Sequence, residues 1–209
     1  MFTGIVEEVG TVVSFRSNKL EISGPSVLKK LETGGSVAVN GVCLTASGFG
    51  HGTFIVDVMP ETLSRSNLNR LASGSKVNLE LPVPLGGPMG GHLVEGHVDD
   101  TGKFIAVRQE GGASLIRFQA PPGVMRYVVE KGFIAVNGIS LTVADRDAST
   151  FEVSVVNFTR SHTTLGTMHI GDQVNLEVDI IAKYVEQLSD SRSRGITAGF
   201  LAEHGFTLG

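Results

Sequence analysis

Apolar positions in this chain come in short runs, each cut off within a few residues by glycine, proline or asparagine. Ile5, Val6, Val9, Thr11, Val12 and Val13 give residues 1–14 strong strand propensity. Ser36-Val37-Ala38-Val39 leads into Asn40-Gly41, a hairpin-turn dipeptide, and Cys43-Leu44-Thr45 resumes as strand. Thr53-Phe54-Ile55-Val56-Asp57-Val58 has strand composition and stops at Pro60. The more polar residues 61–71 predict a helical turn near Leu63, after which Lys76-Val77-Asn78-Leu79-Glu80-Leu81 alternates strictly as a strand.

The same succession is then written again. Val39-Asn40-Gly41-Val42-Cys43-Leu44-Thr45 returns 97 residues later as Val136-Asn137-Gly138-Ile139-Ser140-Leu141-Thr142. That offset also carries Gly35 to Gly132, Thr62 to Thr159, Leu68 to Leu165, and the run from Gly74 to Glu80 onto that from Gly171 to Glu177. At an offset of 92, the stretch from Gly4 to Gly10 matches that from Gly96 to Gly102. A period this long marks a duplicated domain, since solenoid repeats run to roughly 20–50 residues. In the second copy Leu115 to Phe118, Phe133 to Val136, Phe151 to Val156 and Val174 to Val178 read as strands, and Val124 to Val129 as helical. With about six short strands each, the copies predict an all-β protein of two small closed barrels, a closure that removes exposed edges.

Pro82 to Gly91 holds three prolines and four glycines in ten residues, which marks the join. The expected domains are therefore 1–89 and 90–179, with 180–209 as a tail that has no counterpart in the first copy. In that tail Ile180, Ile181, Tyr184, Val185 and Leu188 form one apolar stripe at helical spacing. Both barrels being complete without it, the stripe is expected to cover a subunit interface.

Composition narrows the function classes. A total of 27 glycines with no tryptophan suits many tight turns better than a helical bundle. A net charge of −4 and an aromatic content of 6% argue against a barrel that binds oligonucleotides or an anionic membrane. One cysteine forms no internal disulfide, and neither a signal peptide nor a membrane-spanning stretch is visible, so a soluble cytoplasmic protein is expected.

Candidate chemistry is sparse. His92 and His97 lie five apart in an extended segment and so point to opposite faces, which disfavours a metal site. Each is either an acid–base or binding group, or a hydrogen-bonded strand histidine. Cys43 has apolar neighbours, as inert buried cysteines do, yet its repeat mate is Ser140, so both copies set a small nucleophilic or hydrogen-bonding group at one spot. Gly4 and Gly96 permit close backbone approach, and Thr62 and Thr159 follow strand ends, where binding groups are common.

Taken together, the stretches from Met1 to Glu7, Asn40 to Thr45, Glu61-Thr62-Leu63 and Gly90 to Asp99 resemble the riboflavin synthase family, alpha-chain type, over residues 1 to about 188. The resemblance implies two six-stranded Greek-key barrels, a C-terminal helix and a homotrimer in which the first barrel of one subunit faces the second barrel of its neighbour. It implies two bound molecules of 6,7-dimethyl-8-ribityllumazine per active site, dismutated to riboflavin and 5-amino-6-ribitylaminouracil without a metal or redox cofactor. By matched position, the first pocket comprises Gly4, Ile5, Val6, Cys43, Leu44, Thr45, Asp57, Val58, Met59, Pro60, Glu61 and Thr62. The second comprises Gly96, His97, Val98, Lys131, Ser140, Leu141, Thr142, Ser154, Val155, Val156, Asn157, Phe158 and Thr159. Within these, His97 is expected to move protons, Ser140 to orient or activate a nucleophile, and Cys43 to tune the partner site. Asn137 stands where some members of the family have aspartate, so no carboxylate acts there. The alternative is a non-catalytic lumazine- or flavin-binding protein of the same fold, expected to lack the two-histidine stretch that is intact here.

Overall fold

A computed structural model describes residues 1–192 and 203–205. Its first half contains β1 (Glu8–Arg16), β2 (Lys19–Ser23), α1 (Pro25–Leu28), β3 (Ser36–Val39), β4 (Val42–Gly50), β5 (Thr53–Asp57), α2 (Pro60–Arg65), a 3-10 turn (Asn67–Arg70) and β6 (Lys76–Glu80). Its second half contains β7 (Asp100–Glu110), β8 (Ala113–Gln119), α3 (Pro122–Met125), β9 (Phe133–Val136), β10 (Ile139–Arg146), β11 (Thr150–Val156), α4 (Asn157–Ser161), a 3-10 turn (Thr164–Gly166) and β12 (Gln173–Val178). Strands β1-β2-β5-β4-β3-β6 close into one barrel by antiparallel pairing, and β7-β8-β11-β10-β9-β12 close into another with the same Greek-key order. The two-residue turns at Asn40-Gly41 and Asn137-Gly138 have positive φ at both central residues (46° and 77°, 46° and 75°), the backbone that joins tight hairpins. Register shifts also repeat: the bulges at Val12/Ser14 and Ala46/Gly48 recur at Phe104/Ala106 and Val143/Asp145.

Each barrel is filled by its own apolar cluster, around Phe54, Leu20, Ile22 and Leu79 in the first and Phe118, Phe151, Ile134 and Leu176 in the second. A third, smaller cluster of Phe2, Ala38, Val94 and Ala135 lies between them. These residues are repeat mates, and Phe2 and Val94 pair with each other through two backbone hydrogen bonds of 2.7 and 3.1 Å. Gly41 and Gly138 meet back to back, since a Cβ on either would sit under 3 Å from the other's backbone nitrogen. Asn78 and Asn175 complete the contact reciprocally: each donates its side-chain amide to the carbonyl of the opposite hairpin, at Asn137 and Asn40. Exchanging the halves leaves this set of contacts unchanged, so the barrels are related by a pseudo-twofold axis.

Residues 1–7 differ from expectation. They carry strand-forming side chains, but the first named strand begins at Glu8, because residues 2–6 leave their own barrel to cover the other one. Val6 packs against the second barrel's core, and Val98 against the first. Strand β2 alternates strictly but is short, and β7 has no clean alternation; both are fixed by pairing, with β1 and β5, and with β8 and β12. Residues 1–179 form one compact unit, and the chain from Ile180 forms another. The second unit contains α5 (Ile180–Arg192), on which Ile181, Tyr184, Val185 and Leu188 are exposed. No helix among the described residues is long and apolar enough to cross a membrane.

Candidate functional sites at the two crossings

Each crossing segment is gripped at one end and pressed down at the other. Glu80, at the end of β6 and 5% exposed, accepts from the Thr3 amide (2.6 Å), the Thr3 hydroxyl (2.9 Å) and the Gly4 amide (3.0 Å). Its repeat mate Glu177, on β12, accepts from the amides of Glu95 (2.6 Å) and Gly96 (3.0 Å). Burial pushes both carboxyls above their ordinary range, while the amide bonds pull them back. Beyond the grip, Gly4 lies on Ser140 and Gly96 on Cys43, with the amides of Ser140 and Cys43 donating to the two glycine carbonyls at 2.8 and 2.9 Å. Only glycine fits: φ is +76° and +83°, and a Cβ at either would come within 2.6 Å of the Cβ beneath it.

This regroups the sequence-derived pockets. Sequence order grouped Gly4, Ile5 and Val6 with Cys43, and Gly96, His97 and Val98 with Ser140. The structure exchanges the two triplets, because the segments cross before they settle. Of the three expected catalytic residues, His97 and Cys43 are brought together, whereas Ser140 has a different neighbour.

In the first site, a pocket of about 180 Å³ is lined by Val42, Cys43, Glu61, Thr62, Arg65, Ser66, Gly96, His97 and Val98. His97 is open to solvent, its side chain 72% exposed and Nδ1 3.6 Å from Glu95 Oε2. Asp57, Val58, Met59 and Pro60 run from the end of β5 into α2, whose Glu61 and Arg65 form an ion pair one turn apart at the rim. Lys19, bonded to the Asp57 carboxylate at 2.5 Å, and then the Ser47 hydroxyl hold that carboxyl below its ordinary range. Leu44 is buried and Thr45 exposed, as alternation along β4 requires.

In the second site, Ser140 Oγ is 2.7 Å from Nδ1 of His92. His92 is 5% exposed and stacks on Phe133 with ring centroids 5.2 Å apart and 7° between planes. Its Nε2 is buried without a protein partner, and burial lowers the pKa of the ring. Gly91 makes room for this pair, since a Cβ there would lie 2.7 Å from Ser140 Cβ. Along β10, Leu141 points into the core and Thr142 outward, and along β11 Val155 is buried while Ser154 and Val156 are exposed. Lys131 is exposed at the turn before β9, with its amide bonded to Val143. Asn157 opens α4, Thr159 is half-buried, and the exposed Phe158 stacks on His162 with centroids 4.0 Å apart.

His92 is the residue that sequence reasoning left undecided. The duplication could not single it out, because the offset of 92 that aligns the crossing segments places its mate ahead of Met1. Its partner Ser140 was visible only as the mate of Cys43.

A family model described as the lumazine binding domain matches the chain twice, over residues 3–82 and 95–179. The riboflavin synthase of Mycobacterium tuberculosis is 50% identical over 91% of this chain and 99% of its own length. The riboflavin synthase of Bacillus subtilis is 39% identical over 99% and 100% respectively, and that of Schizosaccharomyces pombe 40% over 91% and 95%. Among solved structures, LumP complexed with riboflavin superposes with a TM-score of 0.79 at 23% identity, covering 85% of this chain and 99% of that one. LumP complexed with 6,7-dimethyl-8-(1'-D-ribityl) lumazine superposes with a TM-score of 0.76 at 22% identity over the same shares.

Proposed function

The chain belongs to the riboflavin synthase family, and we propose on that footing that it dismutates two molecules of 6,7-dimethyl-8-ribityllumazine to riboflavin and 5-amino-6-ribitylaminouracil. One observation carries the reading: two sites equivalent by duplication hold different chemistry. Two copies of one substrate need two similar cradles, and a donor and an acceptor of a four-carbon unit need different groups in them.

At the first site the solvent-open imidazole of His97 is placed to take a proton from a ring methyl group and return it later, with Cys43 beside it shaping that pocket. At the second site Ser140 Oγ is held by its hydrogen bond to Nδ1 of His92, which fixes the hydroxyl at the pocket wall. The ring of His92 is itself fixed by Phe133, so Ser140 is oriented before substrate arrives. In this reading residues 1–89 and 90–179 are two lumazine-binding units, and the exposed stripe of α5 supports assembly into a homotrimer. A single cysteine supports a reducing cytoplasm as its compartment.

The non-catalytic reading loses ground because likeness to LumP is at the level of fold, whereas identity to the synthases reaches 50%. The test is incubation of purified protein with 6,7-dimethyl-8-ribityllumazine alone, followed by absorbance. One riboflavin formed per two lumazines consumed is expected. Tight binding without turnover would overturn the enzyme and leave the binding protein.

A further inference from the structure

A second cavity lies on the pseudo-twofold axis, about 460 Å³ in volume and separate from both crossings. Its size is that of a small-molecule site. Its walls are repeat mates that have diverged in charge. The first half contributes Arg70 and Lys76, where the second half places Thr167 and Gln173. The second half contributes Asp172, where the first places Ser75. The cavity wall therefore carries two cations and one carboxylate, set asymmetrically about the axis. Lys76 is fixed there by its bond to Thr11 Oγ1 (2.7 Å), and Arg70 makes no side-chain hydrogen bond or ion pair among the described residues. An adjoining cavity shares Arg70 and Gln173 and adds Lys103, extending the cationic wall in a chain of net charge −4.

The polar atoms of the wall are not all satisfied by the protein. Asn67, 7% exposed, donates its side-chain amide to Asn137 Oδ1 (3.0 Å) and the Gln173 carbonyl (3.1 Å). Both partners are acceptors, so the amide cannot be turned over, and its buried Oδ1 faces no donor. The Gln173 side-chain amide meets the Thr101 hydroxyl through one of its two polar atoms and leaves the other buried without a partner. At the mate of Asn67 the chain has Thr164, whose hydroxyl accepts from Asn78 at 3.0 Å and leaves no such atom. Buried polar atoms are rarely left without a partner, and here one orphan acceptor and one half-paired amide share a cavity with two cations.

We propose that this cavity binds a small phosphorylated polyol, its phosphate on Arg70 and Lys76, one hydroxyl donating to Asn67 Oδ1 and another pairing with the free side of the Gln173 amide. Arginine matches phosphate in fork geometry, and hydroxyls supply the donors that the carbonyl oxygens lack. The smallest probe carrying both features is glycerol 3-phosphate, with inorganic phosphate and glycerol as controls. In a ligand-observed NMR titration of the full chain at low ionic strength, saturable binding of the ester is expected. It should weaken by about tenfold in Arg70→Ala and again in Lys76→Ala, as loss of a charge-assisted hydrogen bond implies. Inorganic phosphate should bind about tenfold more weakly than the ester, and glycerol not at all. Both replaced side chains are on the surface, so the melting temperature without ligand, and lumazine turnover, should stay at the wild-type value. Absence of saturable binding, wild-type affinity in either variant, or inorganic phosphate binding as tightly as the ester would each overturn the proposal.

Discussion

The two halves of this molecule share a scaffold almost position for position and differ where a ligand would touch them. Cys43 stands where the other half has Ser140, and Ile5 where it has His97. The pair Glu61 and Arg65 at the first rim, an ion pair, is replaced at the second by Phe158 and His162, a ring stack. The parts that stayed alike are those that the fold cannot vary: the Asn-Gly turns, the gripping glutamates and the crossing glycines. Duplication supplied two cradles, and divergence of a few outward-facing side chains made them unequal. The exchange of leading segments adds a consequence. Each site is built from both halves, so His97 lines the first barrel's pocket although the second half encodes it.

The largest effect should come from the crossings themselves. Gly96→Ala combines a left-handed backbone with a Cβ overlap on Cys43 and should cost about 3 kcal/mol in urea unfolding. It should also weaken lumazine binding at the first barrel while sparing the second, and Gly4→Ala should do the reverse. Equal losses at both sites in both variants would dissolve the distinction between the halves. Next in size, Ser140→Ala should lower turnover by about a hundredfold or more, the scale of a lost acid–base or nucleophile-activating group. Cys43→Ser, which keeps a small polar group in place, should lower it by about tenfold or less. If the two fall equally, the sites are not chemically specialised.

Titration gives a smaller and more selective comparison. His92 has a folded pKa below the ordinary 6.5, so its contribution to stability is complete above that value and is lost as pH falls through the lowered one. Glu80 and Glu177 run the other way. Their folded values lie above the ordinary 4.5, so their contribution is complete below it and is lost as pH rises through the raised values. Melting temperature against pH should therefore show the gap between wild type and His92→Asn closing on acidification. The gap between wild type and Glu177→Gln should close as pH rises. Curves that stay parallel would remove these groups from the account. Smallest of all, Arg65→Ala should leave the melting temperature unchanged, because the ion pair with Glu61 is solvent-exposed, whereas Phe158→Ala should weaken lumazine binding at the second barrel only.

The sequence by itself determined a great deal of this. Turn dipeptides, alternation and the repeated offsets were enough for two barrels, a C-terminal helix and the family, because those signals are local and the duplication reports each of them twice. A strand without a clean pattern of its own, such as Asp100–Glu110, was decided by the neighbours it pairs with. The site needed still more. A segment such as Phe2 to Val6 can lie on either barrel without changing its alternation, so its pattern does not say which. The choice was made by contacts distant in sequence: Glu80 holding Thr3 and Gly4, Val6 entering the second core, and Gly4 resting on Ser140. The same folding buries His92 against Phe133 and leaves His97 in solvent, a difference between two identical residue types that local sequence does not encode.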